Sequence, residues 1–262
     1  MRSQSPLQIT IKDKIIGGSR SLVCLPLMAS DHKTLEDQAR EAVVLEPDLI
    51  EWRVDAFHPL SRIDAVEEAL AALGTTCPDL PLLFTCRAPQ EGGGQSLSPE
   101  DRLALYRMAI TSEQVALIDV ELSSGDEMVQ TLRRLCRRAG VKLMLSYHNF
   151  EGTPDGDTLL RIFREAEAAG ADVAKIAVMP HDGLDVLTLL TAACKARRHY
   201  LKIPLVAISM GREGAVSRIT GDLFGSDITF ASGAATSAPG QLPIEDLKKI
   251  WSLLPWHGSS SA

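Results

Sequence analysis

Leu49-Ile50-Glu51-Trp52-Arg53-Val54-Asp55 is a short β-rich run in which every second residue from Glu51 onward is charged. Side chains of a strand alternate between faces, so Glu51 and Arg53 share one face while Ile50, Trp52 and Val54 share the other. The apolar set suits packing against helices. The charged set then points into an interior that can satisfy it, and in a parallel barrel that place is the mouth at the strands' C-terminal ends.

Seven more runs of this length follow the same logic, at residues 22–28, 82–87, 115–122, 141–148, 172–179, 201–210 and 227–232. Most are separated by stretches of helical period, such as 34–46 and 157–169, the second ended by Gly170 as a C-cap. Ser98-Pro99-Glu100 reads as a helix start, with serine at the N-cap and proline at the first helical position. Eight strand–helix units imply a parallel sheet, because each connection is long enough for a crossover helix. An open doubly wound sheet would usually carry a glycine-rich phosphate loop after an early strand. Here the first run ends Met28-Ala29-Ser30-Asp31, and Gly92-Gly93-Gly94 matches neither a dinucleotide nor a P-loop spacing. The expectation is an α/β fold, a closed (β/α)8 TIM barrel, with a short N-terminal strand at residues 8–12 closing the bottom. The 262 residues suit one catalytic domain over 1–262, and no linker-like stretch divides them.

Composition narrows the function classes. With 45% hydrophobic and 23% charged residues the chain is ordinary globular protein. A net charge of −7 disfavours nucleic acid and anionic membranes as partners, but a few arginines still allow a pocket for a small anion. Cys24, Cys77, Cys86, Cys136 and Cys194 are odd in number and lack metal-type spacing, so free thiols are expected. The N-terminus lacks the apolar stretch of a signal peptide, and no segment approaches a membrane span of roughly 20 apolar residues. The cytoplasm is the expected location. The tail, 256–262, is expected to fray.

The polar residues of the strands carry the chemistry. Arg87 ends its run with Glu91 in the loop beyond; Ser146 and His148 share a face; Lys175 stands alone among small apolar neighbours. A Glu–Arg pair can be a structural ion pair and a lone histidine a core residue. A mid-strand lysine is harder to explain so, because burying an unpaired ammonium is costly. Four strands placing ionisable groups at one rim point to a site. A lysine in apolar surroundings releases its proton more readily, and the neutral amine forms imines with ketones. The imine acidifies the adjacent carbon, and histidine suits removal of that proton. Glu91, if it reaches His148, would orient the imidazole. These parts assemble into proton abstraction beside a carbonyl followed by β-elimination of water. The six histidines form no metal-binding cluster. Asp119 and Glu121 could hold a cation, or hydrogen-bond neighbouring arginines or the lysine.

The motifs Glu51-Trp52-Arg53-Val54-Asp55, Phe84-Thr85-Cys86-Arg87, Glu91-Gly92-Gly93, Ser146-Tyr147-His148-Asn149-Phe150 and Ala174-Lys175-Ile176-Ala177 stand in this order. Ile208-Ser209-Met210-Gly211, Ser217-Arg218 and Ser237-Ala238-Pro239-Gly240-Gln241 follow. In all of these the chain resembles the type I 3-dehydroquinate dehydratases, over essentially its whole length. The resemblance implies a (β/α)8 barrel, homodimeric, acting without metal or organic cofactor in the shikimate pathway. It implies that Lys175 forms the imine with the C3 ketone of 3-dehydroquinate. It implies that His148 removes a C2 proton and shuttles protons, supported by Glu91, on the way to 3-dehydroshikimate. Arg218 would bind the substrate carboxylate; Glu51, Arg53, Arg87, Ser237 and Gln241 would bind hydroxyls or complete the site. Two positions depart from some relatives: Asn149 stands where aspartate is expected, and Pro26 where serine is.

Two other readings share some of these features. A class I aldolase also uses a barrel lysine, but would bring a phosphate loop, for which Ser232-Gly233-Ala234 is a weak candidate. A non-catalytic barrel binding a carboxylated ring could keep Arg218, Arg53 and Gln241 without needing Lys175 or His148.

Overall fold

In the computed structural model, residues 3–233 and 236–255 are described. The chain opens with a hairpin, β1 (Ile9–Ile11) and β2 (Lys14–Ile16). The alternation then runs β3 (Leu22–Leu27), α1 (His32–Leu45), β4 (Leu49–Arg53), α2 (Ile63–Thr76), β5 (Leu82–Thr85) and α3 (Pro99–Thr111). It continues with β6 (Leu117–Glu121), α4 (Asp126–Ala139), β7 (Lys142–Asn149), α5 (Gly156–Ala169), β8 (Val173–Val178) and α6 (Gly183–Lys195). β9 (Leu205–Ser209), α7 (Ala215–Thr220), β10 (Ile228–Phe230) and α8 (Ile244–Leu253) complete it.

All eight strands from β3 to β10 are parallel, in the order β10-β3-β4-β5-β6-β7-β8-β9. The β9–β10 seam closes the ring partly through side chains. Asp227 N–H donates to Leu205 O at 2.7 Å, while Asp227 Oδ2 accepts Leu205 N–H and Ser226 Oγ accepts Ala207 N–H. Helix starts follow local chemistry: Asp31, Ser98 and Asp155 cap α1, α3 and α5 by accepting backbone N–H groups, and Gly170 ends α5 at φ 92°.

Strand alternation sorts the core into two bodies. Ile50, Trp52, Phe84, Ile118, Val120, Leu143, Leu145, Ala174 and Ile176 face outward against the helices. Leu22, Cys24, Leu49, Leu83, Leu117, Met144, Val173, Val206 and Ile228 face inward and fill the lower barrel.

Two details differ from the sequence expectation. The segment at 8–12 is half of a hairpin, and Ile9, Ile11 and Ile16 together plug the lower barrel. The turn passed unnoticed because it is made by Lys12, at φ 50°, and Asp13 rather than by Asn-Gly. The run 201–210 is a strand only from Leu205. Before it α6 continues as a π-helical turn through Ala196–Tyr200, and Lys202 O accepts N–H of Leu7 and the hydroxyl of Ser5. That turn brings Arg197 inward to Asp227 and to the carbonyls of Ile203 and Gly225.

Candidate active site

The inward phase of each strand continues upward from the apolar layer. Two residues above Leu49 and Leu117 come Glu51 and Asp119; above Met144 and Val173 come Ser146 and Lys175. Another step brings Arg53, Glu121, His148 and Ala177. Of these, Glu51, Lys175, Arg53, His148 and Ala177, together with Arg87, Glu91, Arg218, Ser237 and Gln241, border a pocket of about 460 Å3 at the C-terminal mouth, while Asp119, Ser146 and Glu121 stand behind its wall. Glu51, Arg53, Arg87, Glu91, His148, Lys175, Arg218, Ser237 and Gln241, the nine site residues expected from sequence, all line it.

Lys175, 5% exposed, stands among small apolar neighbours in the chain but donates its Nζ to Asp119 Oδ2 at 2.7 Å. Asp119 also takes Arg87 Nη2 at 2.8 Å and the Ser146 hydroxyl. Burial would raise the Asp119 carboxyl, but Arg87 and Lys175 beside it hold it well below its usual range. Glu121 is likewise engaged, by Arg87 at 2.8 Å and by Arg102. Of the two readings left open for Asp119 and Glu121, the structure shows hydrogen bonding to arginines and the lysine. Arg87 is thus largely occupied, binding Asp119, Glu121 and Ser146 at the pocket wall.

Glu91 does reach His148. Its Oε2 accepts the His148 backbone N–H at 2.9 Å and lies 3.0 Å from Nδ1, while Oε1 accepts the Ser123 hydroxyl at 2.6 Å. Burial, with Arg87 and Lys175 nearby, holds His148 well below 6.5, so the imidazole is neutral. A neutral ring whose Nδ1–H faces a carboxylate leaves Nε2 as the basic nitrogen. Asn149 plays no part in this: its Oδ1 accepts N–H of Glu151 and Gly152 and shapes the following turn.

Arg218 is 2% exposed and donates only to carbonyls, Phe230 O at 3.3 Å and Pro239 O at 2.9 Å. It has no carboxylate partner among the described residues, its Nε has no partner, and burial lowers it to about 10. By contrast Asp55 takes Arg53 through Nε and Nη2, at 2.8 Å each. Gln241 clasps Ser237, accepting its N–H at 2.7 Å and donating to its hydroxyl at 3.0 Å. Their loop is seated on Gly211, whose N–H donates to Pro239 O. Gly240, at φ 77°, permits this approach, since a Cβ there would meet Gly211 O at 2.0 Å. Glu51 accepts the Thr85 hydroxyl at 2.8 Å.

Sequence reasoning quoted Asp55, Phe150, Ala177, Ile208 and Met210 within motifs but gave them no site role, and passed over Ser123 and Phe230. The inward phase carried a signal for Ala177, Ile208 and Phe230, which continue the faces of Lys175, Val206 and Ile228. Ser123 gave none. Pro26 is opposite Glu51 in the ladder and does not line the pocket; it has no N–H to extend the β3–β10 pairing beyond Ala231. The weak phosphate-loop candidate includes Ala234, and the tail is 256–262; both lie outside the described residues.

The type I 3-dehydroquinase family model matches residues 23–255. A 3-dehydroquinate dehydratase from Albidiferax ferrireducens is 42% identical over 257 residues, covering 97% of this chain and 96% of the relative. The solved 3-dehydroquinate dehydratase of Geobacillus kaustophilus superposes with a TM-score of 0.94 at 40% identity, covering 97% of this chain and 98% of that one. The type I enzyme of Clostridium difficile, solved with covalent modified comenic acid, gives 0.91 at 35% identity, covering 93% and 96%.

Proposed function

The chain belongs to the type I 3-dehydroquinase family, and from that premise we propose the residues by which it dehydrates 3-dehydroquinate to 3-dehydroshikimate through a Schiff base. This is a step of the shikimate pathway.

Lys175 supplies the amine. It begins bonded to Asp119, and neutral His148 is the acceptor available in the pocket for the proton it must shed. The amine attacks the C3 ketone, and the imidazolium returns that proton to the carbinolamine oxygen. Loss of water leaves a protonated imine that withdraws electrons from C2 and a His148 that is neutral again. His148 Nε2 removes the C2 proton, Glu91 holding the ring by Nδ1 while positive charge develops on it. The imidazolium then protonates the departing hydroxyl, and hydrolysis of the conjugated imine frees the enone. Arg218 binds the substrate carboxylate, where a bidentate guanidinium fork suits a planar group. Glu51, Arg53, Ser237 and Gln241 bind hydroxyls or complete the wall, and Arg87 fixes Asp119. One observation carries this assignment: Lys175 Nζ and the neutral His148 imidazole border one pocket that also holds Arg218, a buried cation whose acceptors among the described residues are carbonyls.

All these groups stand on one barrel, which supports reading 1–262 as a single catalytic domain. The homodimer, the cytoplasmic location and the absence of nucleic-acid and membrane partners belong to the same proposal. No helix among the described residues is long and apolar enough to cross a membrane.

The test is incubation with 3-dehydroquinate and sodium borohydride, then intact mass and peptide mapping. An adduct on Lys175, absent from Lys175→Ala, is expected. Enone absorbance without an adduct would overturn the covalent role of Lys175, and neither signal would overturn the substrate.

A further inference from the structure

Phe230, on the last barrel strand, is 4% exposed and lines the pocket, yet the mechanism above gives it no part. Lys175 Nζ lies over the face of its ring, 4.7 Å from the centroid. The face of an aromatic ring carries negative electrostatic potential and attracts a cation, most strongly where water is excluded. Asp119, the other neighbour of this nitrogen, is shared with Arg87 at 2.8 Å, so its charge is divided between two cations. The backbone carbonyl of Phe230 meanwhile accepts from Arg218 Nη1 at 3.3 Å. One residue thus touches both the amine and the carboxylate anchor.

We infer that Phe230 is a positioning residue whose ring face stabilises the positive charge on the Lys175 nitrogen through imine formation. This rests on the reading of Lys175 as the imine-forming amine. Charge conservation explains why a ring suits the task. Counted from the ammonium, two protons leave the nitrogen with the ketone oxygen as water, and a carbon–nitrogen double bond forms. The single positive charge begins on that nitrogen, is carried by His148 while the neutral amine attacks, and is back on the nitrogen in the protonated imine. A carboxylate there can take up a proton and end the cation; a ring cannot. When His148 takes the C2 proton, the charge passes to imidazole and the nitrogen becomes a neutral enamine. The ring therefore favours formation of the imine over the proton abstraction that follows.

The experiment replaces Phe230 with phenylalanine carrying one, three or five ring fluorines, which keeps the ring's shape while removing and then reversing its quadrupole. The initial rate of borohydride-trapped adduct at Lys175 is expected to fall in graded steps, by about two- to thirty-fold across the series. The C2-deuterium isotope effect on kcat is expected to shrink as imine formation becomes rate-limiting. Phe230→Leu should fall at the low end of the same series; should it fail to fold, the near-isosteric fluorinated proteins decide the matter. An adduct rate indifferent to fluorination, with wild type trapping normally, would overturn the role of Phe230 alone. No adduct in wild type would instead overturn the reading of Lys175 on which it rests.

Discussion

The lower and upper interiors of this barrel are built from the same strands a few residues apart. Below Lys175 the inward side chains are Leu22, Cys24, Leu49, Leu83, Leu117, Met144, Val173, Val206 and Ile228, plugged by Ile9, Ile11 and Ile16. Above them stand Glu51, Asp119, Glu121, Arg87 and Lys175, almost as deeply buried, with His148 half-buried at the rim. Burial is thus not what distinguishes the two ends. The lower end is held by hydrocarbon contact, which is non-directional. The upper end survives because nearly every charge has a specific partner; Arg218 stands apart, with carbonyls alone among the described residues.

Several substitutions would break or sharpen that contrast. Lys175→Met is expected to lower kcat by on the order of a thousandfold or more, since it removes the amine proposed to form the imine and no other lysine among the described residues lines the pocket. Its melting temperature should stay near wild type, because Asp119 keeps Arg87. A large drop in melting temperature would show that the lysine is part of the scaffold. Arg87→Ala strips Asp119 and Glu121 of their shared partner and should cost roughly 3–5 kcal/mol in urea unfolding. A loss under 1 kcal/mol would mean that water or rearrangement satisfies those carboxylates readily. Ile16→Ala in the plug should cost about 2–4 kcal/mol and leave kcat close to wild type. Lost activity at unchanged stability would contradict the separation of floor from site.

The smallest effect is one of pH. His148 is held below 6.5 when folded, whereas in the unfolded chain it protonates near 6.5. Its contribution to stability is therefore complete above that value. As pH falls below 6.5 the unfolded state gains a proton that the folded state refuses, and up to about 1.4 kcal/mol is lost per pH unit. His148→Asn should flatten this slope between pH 6.5 and 5; an unchanged slope would show that other groups set it.

Much of this was legible in the residues. The eight units, the N-cap of Ser98 and the αL glycine at 170 follow from local preferences, and local preferences are what a sequence exposes directly. Period-two alternation also identified the inward faces of Glu51, Arg53, Ser146 and His148. It left the partner of Lys175 open between two readings, because only Val173, Ala174, Ile176 and Ala177 surround it in the chain. Its partner Asp119 is 56 residues away, on a strand two positions around the barrel. The hydroxyl of Ser123 on Glu91 was equally invisible, since a serine beyond a strand is compatible with almost any environment.

The sequence by itself therefore determined the barrel, its polarity and which polar side chains line the pocket, because strand period and residue chemistry are local properties. Only the tertiary structure decided which carboxylate meets Lys175, that Glu91 rather than Asn149 contacts the His148 ring, and that Arg218 meets only carbonyls among the described residues. Those outcomes depend on distances between strands remote in the chain. Such distances are set by how the ring closes and packs.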